Sequence, residues 1–304
     1  MRAMALVLVT VGVATVPSSG LADDATPITT HLASDWNPSW SPDGSQIAFV
    51  SNRGGNVDVW VIPATGGTAT QITTDSARDD NPSWSPGGSL IAFDSNRSDN
   101  NIVQSHVWVI AAEGGVATQI TTLQGFNPAW SPDGGEIAFA SSRSGNQAIW
   151  VIPATGGSAT QITTDPAHDD NPAWSPDGSL IAFDSGFRDI WVVSATGGTP
   201  TQITTDPAFE ASPAWSPDGS QIVFYSGASG AEAVWVIPAT GGSATQITTD
   251  PAHDDNPAWS PDGSQIAFVS DRSGNQDIWV IPATTTAVQS ESWSGVKEKY
   301  KDEE

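Results

Sequence analysis

The chain contains no cysteine, which excludes disulfide bonds and thiolate metal sites. Lysine is nearly as scarce, because all three lysines lie in the last eight residues, at Lys297, Lys299 and Lys301. The formal net charge is −24. A field of this sign repels nucleic acid and anionic lipid, and it favours solubility, cations and basic partners. We therefore expect no nucleic-acid partner.

Sustained helical periodicity is also missing, and so are the common catalytic motifs. There is no G-x-S-x-G elbow and no H-E-x-x-H pair. His168 and His253 occupy equivalent positions of a repeat, which indicates duplication rather than a catalytic pair. Acidic residues are so numerous that the presence of a pair of carboxylates does not identify a catalytic site. We expect a protein that is not an enzyme.

The N-terminal segment has the composition of an export signal. Arg2 precedes an apolar run over Ala5–Val16, and the small residues of Gly20-Leu21-Ala22 follow. The run is too short for a stable membrane span. The pattern predicts a signal peptide over residues 1–22 and a periplasmic or secreted protein with no membrane span after cleavage.

The stretch W-S-P-D-G recurs five times and appears once more as W-S-P-G-G. The copies begin at Trp40, Trp84, Trp130, Trp174, Trp215 and Trp259. Pro fixes φ for the second position of a turn, Asp bonds nearby backbone N–H groups, and Gly closes a hairpin with a bulge. The motif therefore predicts a turn, and we assign its Asp a structural role.

Each repeat contains four short strand patterns, and successive motif tryptophans lie 41–46 residues apart. Strand a ends in the motif Trp, strand b has an Ile-Ala-Phe core, strand c carries a second Trp, and strand d has the type Thr-Gln-Ile-Thr. This period predicts an all-β, six-bladed β-propeller over residues 23–288. The chain starts with a d strand at Ala25–Thr30, so we expect that strand to complete the last blade and close the ring.

Residues 289–304 differ in composition and form a tail outside the predicted ring. Two interpretations stay open: a solvated tail, or a short docking stripe formed by Trp293, Val296 and Tyr300.

The combination N-P-x-W-S-P-D-G-x-x-I-A-F, S-x-R-x-G-N-x-x-I-W-V-I and G-G-x-x-T-Q-I-T, complete over Asn256–Ile281, resembles the TolB-type, WD-like β-propeller repeat. The likeness covers roughly residues 25–283 and only the propeller part; we expect no counterpart of the α/β domain that precedes the propeller in TolB. In that family, TolB is periplasmic and binds a peptidoglycan-associated lipoprotein through its propeller. The resemblance therefore implies a protein partner. Similar repeats occur in the propellers of prolyl-oligopeptidase-like hydrolases.

In a propeller the d-to-a and b-to-c loops share one face, which here is the variable one. The residue before the loop-ending Asn (Ser in blade 5) alternates between apolar and acidic around the ring: Trp36, Asp80, Phe126, Asp170, Ala211 and Asp255. The b-to-c loops of the same face carry an arginine in every blade except the fifth: Arg53, Arg97, Arg143, Arg188 and Arg272. Aromatic, Arg and Asp side chains on a rigid ring predict a partner-binding channel mouth. The alternative is that Asp-Asp-Asn is turn chemistry and that each Arg pairs with the Asp of a neighbouring blade.

We expect no cofactor. Asp94 and Asp184 interrupt apolar b strands in the blades that carry Asp80 and Asp170, so a Ca²⁺ ion or an Arg pair is an open alternative there. The leading hypothesis is a monomeric, exported protein-interaction module of the periplasm or cell envelope. The alternative is a propeller-type hydrolase or lyase that acts on a glycan or peptide with its channel carboxylates.

Overall fold

The computed structural model describes residues 23–97, 104–186 and 188–283, and it folds them into six four-stranded antiparallel sheets. The predicted signal peptide and the predicted C-terminal tail lie outside these residues. Within them, no helix is long and apolar enough to cross a membrane. The prediction of a six-bladed, all-β propeller is confirmed.

The four strands of each blade follow the predicted order from the channel outward. The innermost a strands are β2 (Asp35–Trp40), β6 (Asp79–Trp84), β10 (Phe126–Trp130), β14 (Asp169–Trp174), β18 (Glu210–Trp215) and β22 (Asp254–Trp259). The b strands are β3 (Gln46–Ser51), β7 (Leu90–Ser95), β11 (Glu136–Ser141), β15 (Leu180–Ser185), β19 (Gln221–Ser226) and β23 (Gln265–Ser270). The c strands are β4 (Asp58–Pro63), β8 (His106–Ala111), β12 (Ala148–Pro153), β16 (Asp189–Ser194), β20 (Ala233–Pro238) and β24 (Asp277–Pro282). The outermost d strands are β5 (Thr70–Gln71), β9 (Thr118–Gln119), β13 (Thr160–Gln161), β17 (Thr201–Gln202), β21 (Thr245–Gln246) and β1 (Thr26–Pro27).

The N-terminal strand closes the ring, as predicted. β1 pairs antiparallel with β24, with Thr26 opposite Val280. The Thr29 hydroxyl donates to Asp277 at 3.2 Å and accepts the Ile278 N–H at 2.9 Å, so the segment is anchored beyond the strand itself. Closure by a distant segment removes the open edge between the first and last blades.

The d strands are shorter than the six-residue stretches that were predicted. In blade 1 the Ile72 and Thr73 N–H groups both donate to the Val59 carbonyl, at 2.9 and 3.3 Å. The Thr73 hydroxyl then accepts the Val59 N–H at 3.0 Å, in the place of a backbone carbonyl. The side chain thus ends the ladder after two residues.

The hydrophobic core lies between neighbouring blades. Ile47 and Phe49 of blade 1, for example, pack against Val269 and Val280 of blade 6. The b-strand Phe is fully buried in every blade. The motif Trp also joins blades: Trp174 Nε1 donates to the Ala129 carbonyl of the preceding blade at 3.2 Å.

The W-S-P-D-G stretch forms the a-to-b turn, as predicted. Asp43 accepts hydrogen bonds from the Ser41 hydroxyl at 2.7 Å and the Ser45 N–H at 3.0 Å, and these bonds lower its pKa to about 2. Gly44 has φ = 71°, a conformation that favours glycine. A Cβ on Gly44 would lie 3.4 Å from Pro261 of the adjacent blade's turn, so the two turns pack against each other.

Candidate functional site at the channel mouth

The channel is lined by the residue that precedes the Pro of each inner strand. These residues are Asn37, Asn81, Asn127, Asn171, Ser212 and Asn256, and each has a positive φ between 47° and 53°. Every a–b pairing shifts register at this residue and the following Pro. Asn tolerates the left-handed conformation, and Pro has no N–H to lose from the ladder. The repeated Asn-Pro therefore bends each strand and places a polar side chain in a channel cavity of about 330 Å³.

Hydrogen bonds link these six residues into a closed ring. Four bonds run directly between neighbours and are 2.6–2.9 Å long: Asn37 to Asn81, Asn127 to Asn171, Ser212 to Asn256, and Asn256 to Asn37. The two remaining gaps are bridged by carboxylates. Asp94 accepts from Asn81 Nδ2 at 2.7 Å and from the Asn127 N–H at 3.2 Å. Asp184 accepts in the same way from Asn171 and the Ser212 N–H.

The bridging carboxylates each face a second acid across the a–b pair. Asp80 is the cross-strand partner of Asp94, and Asp170 is the partner of Asp184. Burial and the neighbouring Asp170 raise the pKa of Asp184 to about 7. Burial and Asp80 likewise raise the pKa of Asp94. The four acids thus form two separate pairs, one in blade 2 and one in blade 4.

The predicted mouth residues lie directly around this ring. Trp36 Nε1 and Asn37 Nδ2 both donate to Asp80, at 3.1 and 2.9 Å, which connects blades 1 and 2. Asn127 Nδ2 donates to Asp170 at 2.7 Å. These bonds hold the carboxylates inside the wall of the channel.

Phe126 and Asp255, two more of the predicted mouth residues, belong to the same wall. Phe126 packs beneath the mouth against the core between blades 3 and 4. Asp255 and Trp36 line one shallow cavity, and burial followed by the charge of Glu232 raises the pKa of Asp255 to about 7.

The exposed rim of the mouth contains residues that the sequence reasoning missed. Loops that enter blades 1, 3 and 5 carry exposed apolar side chains, at Leu32, Leu123 and Phe209. The equivalent loops into blades 2, 4 and 6 carry Arg78, His168 and His253. Arg78 is exposed and pairs with Asp80 at 2.6 Å. The alternation of apolar and polar residues at the inner positions thus extends outward to the rim. This alternation is visible in the sequence alone once the loops are aligned blade by blade.

Four of the five predicted arginines form an internal structure that we call the arginine clasp. In each clasp the guanidinium lies between the b-strand Phe and the c-strand Trp and faces the first position of strand a. The guanidinium carbon of Arg53, Arg97, Arg143 or Arg272 is 4.9–5.3 Å from both ring centroids. The clasp explains why these arginines are held inside the blades instead of projecting to solvent.

The partners of the clasp correct one sequence expectation. Arg53 pairs with Asp35 and Arg97 with Asp79, both at 2.5 Å and within the same blade, so the expected pairing with a neighbouring blade is wrong. Arg272 pairs with Asp254 of its own blade at 2.9 Å and with Asp23 of the N-terminal segment at 2.5 Å.

Two arginines depart from this pattern. Arg143 pairs with no carboxylate among the described residues and donates to the Gln124 carbonyl at 3.0 Å. Arg188 lies on a shorter loop and is exposed. The partner-binding role of the five arginines stays a prediction.

No group of three or more His, Asp or Glu side chains among residues 23–97, 104–186 and 188–283 is arranged to hold a metal ion. The carboxylates of the two facing pairs in blades 2 and 4 already accept hydrogen bonds from Asn side chains and backbone N–H groups. The Ca²⁺ alternative stays a prediction.

Comparison with known proteins agrees with this architecture. The model of the TolB beta propeller domain matches residues 102–208 and 190–302, and that of the Tricorn protease N-terminal beta propeller domain matches residues 16–125. No curated protein matches the chain.

Solved structures share the fold at low identity. A protein assigned as TolB from Agrobacterium tumefaciens is 22% identical with a TM-score of 0.67, over 86% of this chain and 97% of that one. TolB from Acinetobacter baumannii is 21% identical with a TM-score of 0.68, over 77% of this chain and 59% of that one. Oligogalacturonate lyase from Vibrio parahaemolyticus is 14% identical with a TM-score of 0.57, over 86% and 96% of the two chains. Because the matched TolB repeats cover more than half of the sequence, the chain belongs to the TolB β-propeller family.

Proposed function

We propose that this chain is an exported protein-interaction module that binds a protein partner through the channel-mouth face. The observation that carries the proposal is the rim, where exposed apolar side chains alternate with charged loops above a hydrogen-bonded ring. Apolar anchors that are surrounded by polar groups on a rigid scaffold are the usual composition of a binding surface.

The charge of the chain indicates the chemistry of the partner. The net charge is −24, and Asp75, Asp165 and Asp250 begin the charged loops of the rim. A partner surface with basic side chains around an apolar centre complements this face. TolB proteins are the relatives that suggest an envelope location and a protein partner, and the export signal over residues 1–22 is part of the same proposal.

Site-specific photo-cross-linking tests the face. A photoreactive residue is placed at Leu123 on the rim or at Val116, which lies on the opposite face and, like Leu32, is 95% exposed. Each protein is incubated with an envelope extract of the source organism. We expect one defined adduct from Leu123 and none from Val116.

A substitution then tests the contribution of the anchors. Leu32→Ser with Leu123→Ser should lower recovery of that adduct partner at least about tenfold, whereas Val116→Ser should leave it unchanged. Adducts that form equally from both faces, or capture that survives the double substitution, would contradict the proposal.

A second candidate is a hydrolase or lyase, because Asp184 and Asp255 have pKa values of about 7, which suit a general acid at neutral pH. Vibrio parahaemolyticus oligogalacturonate lyase shares the fold, so uronate-containing oligosaccharides are the first substrates to assay. Turnover that is lost in Asp184→Asn, in protein with an unchanged melting temperature, would favour this candidate.

A further inference from the structure

Blade 5 lacks the arginine of the clasp but retains its backbone. Ala228 occupies the arginine position, because its N–H donates to the Ser226 hydroxyl at 3.1 Å. Arg53 makes the same bond to Ser51 at 3.2 Å in blade 1. The chain therefore reaches the same point in both blades, but in blade 5 it carries only a methyl group there.

The other members of the clasp remain in blade 5. Phe224 and Trp235 are cross-strand partners on β19 and β20, as Phe49 and Trp60 are in blade 1. Glu210 is the first residue of strand a and faces Ser226, the place that Asp35 takes opposite Ser51. Blade 5 thus keeps two aromatic rings, a hydroxyl and a carboxylate arranged for a cation that its own sequence does not supply.

A cavity of about 360 Å³ occupies this place. Glu210, Phe224, Ser226, Ala228 and Trp235 all line it, together with the segment 204–207 that leads into the blade. The volume is within the range of small-molecule sites, which starts at about 300 Å³.

Within residues 23–97, 104–186 and 188–283, no cationic side chain pairs with the carboxylate in this cavity. Glu210 is only 3% exposed, and its Oε2 atom has no hydrogen-bond partner in the described part of the chain. The Thr204 hydroxyl bonds the same carboxylate, and Asp189 and Asp206 add negative charge nearby. A buried acid surrounded by further acids, with one oxygen unpaired, is a strong acceptor for a cationic donor.

We propose that the blade 5 cavity binds a guanidinium group supplied by another molecule. The guanidinium lies between Phe224 and Trp235, donates to Glu210 and to the Ser226 hydroxyl, and so takes the position that Arg53 or Arg97 takes within its own blade. A planar guanidinium stacks flat on aromatic rings while its N–H groups donate within its own plane, a combination that a compact and strongly hydrated ammonium group lacks. This site is separate from the rim and goes beyond the interaction surface proposed above.

Calorimetric titration of the intact protein tests the site with two guanidinium sources. n-Butylguanidine represents a free small molecule, and acetyl-Gly-Arg-Gly-amide represents an arginine side chain of a protein. n-Butylamine has the same charge without the planar group. We expect one n-butylguanidine per protein, and binding of n-butylamine at least about tenfold weaker.

Two variants locate the binding. Ala228→Arg supplies the missing side chain from within the blade and should abolish binding of n-butylguanidine. Glu210→Gln keeps the shape and removes the charge, so binding should weaken at least about tenfold even if Ala228→Arg does not fold. Leu123→Ser on the rim should bind n-butylguanidine as the unaltered protein does, so failure of this site and failure of the rim are distinguishable.

The peptide distinguishes the sources. Binding of the peptide at least as tight as that of n-butylguanidine supports an arginine of a partner protein, and exclusion of the peptide supports a free guanidinium compound. The proposal is overturned if n-butylguanidine shows no binding up to about 10 mM, a concentration that nearly saturates a site with a Kd of about 1 mM. It is also overturned if binding persists unchanged in both variants.

Discussion

Blades 1, 2 and 6 pair the arginine of the clasp with an acid, whereas blades 3 and 5 each keep only one of these two partners. Blade 3 keeps Arg143, but Gly125 replaces the acid, and the Gln124 carbonyl accepts from the guanidinium instead. Blade 5 keeps the acid, but Ala228 replaces the arginine, and a cavity remains. A missing acid is replaced by a backbone carbonyl that is already nearby, whereas a missing cation has no backbone substitute. Loss of the acid in blade 3 therefore leaves the remaining partner hydrogen-bonded, whereas loss of the arginine in blade 5 leaves the acid without a cation.

Packing also prevents an acidic residue from occupying position 125 in blade 3. A Cβ on Gly125 would lie 2.9 Å from Cδ2 of Phe139, the ring that supports Arg143. An acid cannot return at this position unless that ring moves. Blade 5 has no such obstacle, since the cavity is open at Ala228.

Deletion of residues 23–31 should have the largest effect, because it removes a clasp carboxylate together with the closing strand. The deletion exposes the edge of β24, removes the buried Ile28 side chain and takes Asp23 away from Arg272. We expect the melting temperature to fall by roughly 10 °C or more. Leu32→Ser, at an exposed position in the following loop, is the control and should not change it. An unaltered melting curve for the deletion variant would contradict the conclusion that the N-terminal strand closes the ring.

Arg97→Ala and Arg143→Ala compare a clasp that has an acid with one that has none. Arg97→Ala leaves the fully buried Asp79 carboxylate without its counterion, which should cost about 3–5 kcal/mol in the free energy of unfolding. Arg143→Ala leaves no unpaired charge and should cost about 1–2 kcal/mol, mainly the contacts with Phe139 and Trp150. Urea denaturation measures both. Equal losses would show that the carboxylate does not matter to the clasp.

Glu210→Gln tests the unpaired acid of blade 5 through pH. Burial, and after it the charges of Asp189 and Asp206, raises the pKa of Glu210 to about 7, although the hydrogen bond with Thr204 acts in the opposite direction. The folded state therefore binds this proton more tightly than the unfolded chain, and stability falls as pH rises from about 4.5 to about 7. Glu210→Gln should remove this fall, so that the variant gains about 3 kcal/mol relative to the natural protein across that window. Stability curves that stay parallel between pH 4.5 and 7 would contradict the prediction.

Gly87→Asp should have the smallest effect, because it restores an exposed turn residue in blade 2. A Cβ on Gly87 has no atom within 4 Å, and Ser85 stands where Ser41 bonds Asp43 in blade 1. We expect the melting temperature to rise by about 1–2 °C at pH 7. The pKa of Asp43 is lowered to about 2, so the gain should disappear as pH falls from about 4 to about 2. A lower melting temperature at pH 7 would show that blade 2 needs Gly87.

The sequence predicts the propeller well because the patterns that specify its turns and strands involve residues close together in the chain. The Pro-Asp-Gly turns, the Ile-Ala-Phe strands and the spacing of the motif tryptophans all act within a few residues. The closing strand is predicted by counting, since one d strand precedes the first blade. The d strands were predicted too long because the Thr73 hydroxyl ends the ladder, and a strand pattern does not reveal a side chain that replaces a carbonyl.

The site was only partly predictable. The acids Asp94 and Asp184 are visible as interruptions of apolar strands, and the structure places them in the ring as bridges. The arginines appeared to belong to the rim because they occur on its loops. Their burial depends on Asp35 and its counterparts, 18 residues away in the sequence, and on two aromatic rings from different strands. The retained acid beside a missing arginine in blade 5 was a signal present in the aligned repeats.

The position of the closing strand has a consequence for the order of folding. Thr29 and its partner Asp277 are separated by 248 residues, so the first strand to be synthesised is the last to find its neighbours. Contacts of such sequence separation form late and slowly. A chain that has emerged only as far as blade 5 therefore has two open edges and no route to a closed ring. The ring can therefore close only after the strands of blade 6 have been synthesised.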